Sequence, residues 1–294
     1  MVFSQFVVRI LLITIAMHAS SRPLIVAHRG ASADAPENTL PAFQLAWEQG
    51  ADAIEGDFHL TRDRKIVCIH NPTTGEYATP NLTVRKSKLA DLQALTLRSP
   101  HIDPTPSPLA ASVIPTLAEV LATVPQGKKL YIEIKSSSKI VRHLLKEIDS
   151  SDISASQLVI IAFSGRVVRA IKRQRPSLKA ILLATPRYRT KGRNLLPSSQ
   201  QLLIELRRTG ADGVSLYAHP DIDATYLAPF HENNYELHTW TIDDPHLAKK
   251  WFDLGALSIT TNKPETLSSW MSRHKKTRVA QPEKPMATRA GKIE

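Results

Sequence analysis

The segment Lys129–Phe163 opens with Lys-Leu-Tyr-Ile-Glu-Ile-Lys (Lys129–Lys135), continues through Ile-Val-Arg-His-Leu-Leu-Lys-Glu-Ile (Ile140–Ile148) and closes with Leu-Val-Ile-Ile-Ala-Phe (Leu158–Phe163). The outer two runs are short and rich in β-branched and aromatic residues, while the middle run spaces its apolar residues at helical intervals. Strand, helix and strand in that order form a crossover unit, and a crossover makes its two strands parallel. The same rhythm extends in both directions. Further β-rich runs lie at Leu24–Ala27, Ala53–Phe58, Ala180–Ala184, Gly213–Tyr217, Tyr235–Thr241 and Ala256–Thr261. Helical patterns fall at Leu40–Gln49, Thr116–Val124, Arg166–Gln174, Ser199–Thr209, His246–Asp253 and Glu265–Ser272. Eight strands alternating with helices predict an α/β chain folded as a (β/α)8 TIM barrel, since eight is the count at which interior side chains just fill a closed barrel. With 294 residues, 42% of them hydrophobic, the chain is long enough for one such domain, which takes about 250 residues.

The rhythm breaks once. Between the second and third barrel strands, over about residues 58–113, lie an extra strand-like run (Lys65–His70) and a loop-rich stretch with Pro72, Pro80, Pro100, Pro104, Pro106 and Pro108. An insertion of this size on the loop side of a barrel is where function concentrates. The expected organisation is a signal peptide over residues 1–21, the barrel over 22–272 and a basic disordered tail over 273–294.

The net charge of +11 invites a nucleic-acid reading, but its distribution does not support one. The tail carries Arg273, Lys275, Lys276, Arg278, Lys284, Arg289 and Lys292 against Glu283 and Glu294, a composition that suits a solvated tail. Aromatic residues make up only 6% of the chain, too few for a broad base-stacking surface, so no nucleic-acid partner is expected. The lone Cys68 has no partner for an intramolecular disulfide and reads as a small buried hydrophobe. At the amino end Arg9 precedes the apolar run Ile10–Met17 and the small residues Ala19, Ser20 and Ser21, the pattern of an export signal. A bilayer span needs about 20 apolar residues, so no stable membrane insertion is expected beyond this segment, and the expected location is the periplasm or the extracellular space.

Catalytic groups of a barrel stand at the carboxyl ends of its strands. Those ends offer His28 and Arg29 after the first strand, Glu55 and Asp57 on the second, His70 and Asn71 after the extra run, Glu133 and Lys135 on the third, Trp240 on the seventh, and Thr261 and Asn262 on the eighth. Residues two apart on a strand share a face, so Glu55 pairs with Asp57, and Glu133 with Lys135. Ionised groups inside a barrel are costly unless they are paired or bound to metal. Converging carboxylates point to one hard divalent cation, Ca2+ or Mg2+ rather than zinc. Two histidines suit acid–base work near neutral pH, and Arg29 and Lys135 supply charge for a phosphate. Each residue alone has a structural explanation, an ion pair for Glu-x-Asp or core packing for His28 and Trp240. Five barrel-strand ends and the extra run, with complementary chemistry, favour phosphoryl transfer.

The run Ala-His-Arg-Gly-Ala-Ser-Ala-Asp-Ala-Pro-Glu-Asn-Thr (Ala27–Thr39) resembles the opening signature of the glycerophosphodiester phosphodiesterases. The likeness continues through Gly50–Asp57, Thr61–Asp63, Ile114–Leu117, Ile132–Lys135, Trp240-Thr241 and Thr261–Pro264, covering roughly Leu24 to Trp270. The resemblance implies a metal held by Glu55, Asp57 and Glu133, and His28 and His70 as the acid–base pair. It also implies Arg29 and Lys135 on the phosphate, with Glu37 and Trp240 in the substrate pocket. The implied reaction releases an alcohol from a small glycerophosphodiester and leaves glycerol 3-phosphate, by way of a cyclic phosphate that water opens. The sequence departs from the family pattern in two places. Asn71 stands where the family has Asp after the second histidine, and Gly75, Glu76 and Tyr77 stand where an Arg is common. The first departure is expected to lower the basicity of His70, the second to weaken phosphate binding or shift substrate preference. Alternative readings are a phospholipase-like barrel acting on intact lipids and a non-catalytic protein that binds phosphorylated ligands. An exposed apolar patch on the insertion would favour the lipid reading.

Overall fold

A computed structural model describes residues 22–97, 112–188 and 194–274. The expected signal segment and nearly all of the expected tail fall outside these residues, as do Pro100, Pro104, Pro106 and Pro108 of the insertion. In chain order the strands are β1 (Leu24–His28), β2 (Ala53–Leu60), β3 (Ile66–Cys68), β4 (Lys129–Ile134), β5 (Leu158–Ala162), β6 (Lys179–Ala184), β7 (Arg187–Tyr188), β8 (Leu195–Leu196), β9 (Gly213–Tyr217), β10 (Glu236–Trp240) and β11 (Ser258–Thr261). The helices are α1 (Leu40–Glu48), α2 (Leu89–Gln93), α3 (Leu117–Ala122), α4 (Val141–Asp149), α5 (Gly165–Gln174), α6 (Ser199–Thr209), α7 (Ala224–Glu232), α8 (Pro245–Asp253) and α9 (Pro264–Arg273).

Eight strands pair in parallel in the order β1-β11-β10-β9-β6-β5-β4-β2, and β1 pairs with β2 to close the ring. The chain is therefore a TIM barrel. Apolar residues sort into two layers by the strand period of two. On β4, Leu130, Ile132 and Ile134 face outward into the large core shared with the helices, while Tyr131 faces the barrel interior with Val26, Ala53, Val159, Ile161, Ile181 and Leu183. Both layers are buried, the usual situation of a parallel sheet sheathed in helices.

Helix α7 is missing from the sequence reading. Pro229 lies inside it, and proline normally argues against a helix interior. Asp223 caps it by accepting from the Tyr226 N–H at 2.9 Å, and Leu227 and Phe230 bury its inner face. The segment between β2 and β4 holds the antiparallel strand β3, a 3-10 turn at Val84–Lys86, and α2. It has a small core of its own, in which Val67, Ile69, Tyr77, Val84, Leu92 and Ile114 pack together.

Candidate active site

Strand register brings the acids together. His28 of β1 lies opposite Glu55 of β2, and Asp57 of β2 lies opposite Glu133 of β4. Their neighbours Ile54, Phe58, Ile132 and Ile134 point outward, so Glu55, Asp57 and Glu133 point in. All three are buried, and one carboxylate oxygen from each lies within 4.8 Å of the others. Glu55 Oε1 and Asp57 Oδ1 have no hydrogen-bond partner.

Two cations reach into this cluster. Arg29 Nε lies 3.2 Å from Asp57 Oδ2, and Lys135 Nζ lies 3.2 Å from Asp57 Oδ1 and 2.8 Å from Glu133 Oε1. The two residues expected on the phosphate are thus also the partners of the acids. Burial alone would raise the pKa of Asp57, but Lys135 and Arg29 outweigh it and bring the value down to about 2. Glu133 goes the other way, to about 7, because burial and Asp57 outweigh Lys135. Burial, Asp57 and Glu133 push Glu55 well above the usual carboxylate range. Glu37, Glu55, Asp57 and Glu133 make four carboxylates against the two cations Arg29 and Lys135. A divalent cation matches that excess, and an all-oxygen donor set in which the buried Glu55 Oε1 has no partner fits Ca2+ or Mg2+.

The backbone around β1 is shaped for this cluster. Arg29 has φ of 57°, a left-handed conformation uncommon outside glycine, and its N–H donates to Glu55 Oε2 at 3.0 Å. Gly30 follows at φ 85°, and a Cβ there would meet the Ala42 carbonyl carbon at 2.6 Å, so only glycine fits the turn. Asn38, at φ 58°, donates from Nδ2 to Asp57 Oδ2 at 2.8 Å and accepts from the Asp57 N–H at 3.0 Å. The Cys68 thiol donates to Asn38 Oδ1 at 3.1 Å, which gives this buried residue a packing role beneath the acids.

Each histidine is backed by an asparagine, and each asparagine by a carboxylate. His28 Nδ1 lies 2.8 Å from Asn262 Oδ1. Asn262 Nδ2 donates to Asp243 Oδ2 at 2.9 Å, so its amide oxygen is turned to His28 and accepts an Nδ1–H. This tautomer leaves the His28 Nε2 lone pair free. His70 Nδ1 lies 2.9 Å from Asn71 Oδ1, and Asn71 Nδ2 donates to Glu76 Oε2, which selects the same tautomer. Burial, assisted by Arg29, lowers His28 to about 4. Burial also lowers His70, opposed by Asp57.

Both histidines line one cavity of about 190 Å³, with Arg29, Glu55, Glu133, Lys135 and Trp240. Phe163 and Tyr217 meet Trp240 edge-on, with ring centroids at 5.6 and 5.7 Å, and form an aromatic wall opposite the acids. Glu37 lies behind Arg29. It accepts from Arg29 Nη1 at 2.8 Å and from the Tyr77 hydroxyl at 2.9 Å, and does not line the cavity. Sequence reasoning missed Asn38, Glu76, Tyr77, Asp243 and Phe163 as contributors. Only Asn38, inside the Pro-Glu-Asn-Thr run, carried a usable signal. Glu76 and Tyr77, which stand where the resemblance leads one to expect an Arg, hold Asn71 and Glu37.

Two imidazoles beside Arg29, Lys135 and an acidic cluster fit to hold a cation suit the hydrolysis of phosphoric diesters, and likeness to known proteins defines the same class. The sequence model of the glycerophosphoryl diester phosphodiesterase family matches residues 28–266, and the chain belongs to that family. It is 29% identical over 254 residues to the glycerophosphodiester phosphodiesterase of Caldanaerobacter subterraneus subsp. tengcongensis, a match covering 84% of this chain and 96% of the relative. A glycerophosphodiester phosphodiesterase of Bacillus subtilis is 26% identical over 259 residues, covering 83% of this chain and 85% of that one. Among solved structures, an Oleispira antarctica phosphodiesterase in complex with the product sn-glycerol-3-phosphate superimposes with a TM-score of 0.73 at 22% identity, covering 85% of this chain and 97% of that one. Likeness at that identity carries the fold.

Proposed function

We propose that the protein hydrolyses small glycerophosphodiesters to glycerol 3-phosphate and an alcohol, with His28 as base and His70 as acid in the first step. The observation that carries this reading is the pair of imidazoles with locked tautomers on a single cavity. His28, lowered to about 4, is uncharged at neutral pH and presents a free Nε2 lone pair. It takes the proton of the attacking glycerol hydroxyl. Asp57 opposes the lowering at both rings. His70 takes the acid role because His28, at about 4, is the ring fixed as uncharged. In its imidazolium form His70 delivers the Nε2 proton to the leaving alcohol oxygen. Opening of the cyclic phosphate reverses the roles. His70, now neutral, takes a proton from water, and His28 returns its proton to the glycerol oxygen. Arg29, gripped by Glu37 and Asp57, holds its guanidinium at the cavity edge for the phosphoryl oxygens. Glu55, Asp57 and Glu133 would hold the divalent cation, which would supply charge neutralisation at the phosphoryl group. Trp240 and Phe163 line the remaining side of the substrate pocket.

Among the described residues of the insertion, Val113, 47% exposed, is the one large hydrophobic side chain open to solvent. This favours soluble diesters over a lipid surface. No helix of the described residues is long and apolar enough to cross a membrane. We extend the proposal to a site of action outside the cytoplasm, supported by the apolar run Ile10–Met17 followed by small residues.

The test is a panel of choline, ethanolamine, glycerol and inositol glycerophosphodiesters assayed for released glycerol 3-phosphate with Ca2+ or Mg2+. Activity should vanish on chelation and return with the cation. Full turnover after exhaustive chelation would remove the metal from the scheme.

A further inference from the structure

A second recess opens at the barrel mouth beside the active-site cavity. It has a volume of about 550 Å³ and runs between the β2–β3 turn, the 3-10 turn at Val84–Lys86 and the loop after β4. Its charged residues are all cations: Arg62, Arg64, Arg85, Lys135 and Lys139, with His59 at the inner end. Among the described residues, the side chains of Arg62, Arg64, Arg85 and Lys139 have no ion pair or hydrogen bond. The acid nearest in sequence is turned away. Asp63 Oδ1 accepts from the Thr61 hydroxyl at 2.7 Å, and its carboxylate accepts from the Leu89 N–H at 3.1 and 3.3 Å. Lys135 lines both recesses, so the groove begins where the phosphoryl site ends.

Four exposed cations gathered without a counter-charge repel one another. The arrangement becomes favourable when an anion enters, and long guanidinium side chains suit a phosphate in particular. Arg29 and Lys135 are held by acids, whereas among the described residues Arg62, Arg64, Arg85 and Lys139 have no acid partner. Trp240 stands on β10, across the ring from β4, whose following loop lines the groove.

We propose that this groove is a second phosphate subsite. It receives a phosphate borne by the leaving alcohol and makes the enzyme prefer glycerophosphodiesters whose alcohol is itself phosphorylated. This rests on the diesterase reading above. The second phosphate can belong to a further phosphodiester unit or to a terminal phosphomonoester, since both present the same oxyanion to the groove.

The experiment compares kcat/KM of the full chain and of an Arg62→Ala, Arg85→Ala double variant on three substrates. Glycerophosphocholine carries no second phosphate, bis(glycerophospho)glycerol carries a second diester, and glycerophosphoinositol phosphate carries a monoester. The double variant should lose about tenfold or more on the two substrates with a second phosphate, mainly in KM, and stay within about twofold on the choline ester. High salt should erase the same preference in the unmodified protein. The substrate that loses more identifies the source of the phosphate. A charge-reversed Arg62→Glu, Arg85→Glu variant provides the second arm, and should shift preference towards the cationic choline ester. Equal losses on all three substrates, or none, overturn the subsite. Failure of the unmodified protein to cleave any diester overturns the diesterase reading instead.

Discussion

His28 and His70 are held by the same chemical device built to different rigidity. Behind His28, Asp243 accepts from the Thr261 hydroxyl at 2.8 Å, the Asn262 N–H at 2.7 Å and the Asn262 side chain at 2.9 Å. Ser32 adds a fourth bond, its hydroxyl donating to Asn262 Oδ1 at 3.0 Å. Behind His70, Asn71 depends on a single contact to Glu76, an exposed residue on the insertion. Where the resemblance leads one to expect a carboxylate beside this histidine, the Asn71 amide stands, and the carboxylate of Glu76 lies behind it. A neutral amide still selects the tautomer, but it does not put a full negative charge beside the ring. His28 is thus anchored by the barrel itself, and His70 by a segment packed on a smaller core.

The largest effects should come from the imidazoles. His28→Ala and His70→Ala are each expected to cost about 10³-fold in kcat, with far-UV circular dichroism unchanged. Equal, small losses from both would leave the comparison without content. The supports should separate next. Asp243→Ala releases Asn262 and should cost about 10–100-fold, the range for partners that orient a functional side chain. Glu76→Gln should cost only about two- to fivefold, since it loosens one exposed hydrogen bond. Reversed magnitudes would show that the insertion, not the barrel, sets the geometry.

A third test uses the departure at position 71. Asn71→Asp alone puts two carboxylates in contact and should slow the enzyme by a few-fold, whereas Asn71→Asp with Glu76→Gln should recover or exceed the original rate. A faster single variant would mean that Glu76 does not matter to His70. The smallest effect concerns pH. His28 titrates at about 4 in the folded protein and near 6.5 in the unfolded chain. Between these values the unfolded chain binds more protons, so stability falls as pH drops from about 6.5 to about 4. His28→Gln should flatten the Tm profile in that window, and an unchanged profile would contradict the burial of the ring.

The alternation of Glu55, Asp57 and Glu133 with apolar neighbours was legible, because strand period alone assigns faces. So were the eight strands, since each is a short β-branched run next to a helical pattern. Helix α7 was hidden by Pro229, whose local cost is met by the burial of Leu227 and Phe230. Asp243 and Glu76 were not legible as supports. Nothing in Asp243-Asp244 or Gly75-Glu76 marks which acid faces an asparagine, and Asp244 turns out to cap α8 by accepting from the Leu247 N–H at 2.7 Å.

From residue order alone came the barrel, the inward acids and the presence of two imidazoles at strand ends, since each of these rests on local periodicity. The pairing of Asp57 with Glu133, the sharing of Lys135 between them and the unequal anchoring of the two histidines required the closed ring. They depend on strand register and on contacts between residues as far apart as His28 and Asn262. Local sequence carries no information about which distant oxygen will face which nitrogen.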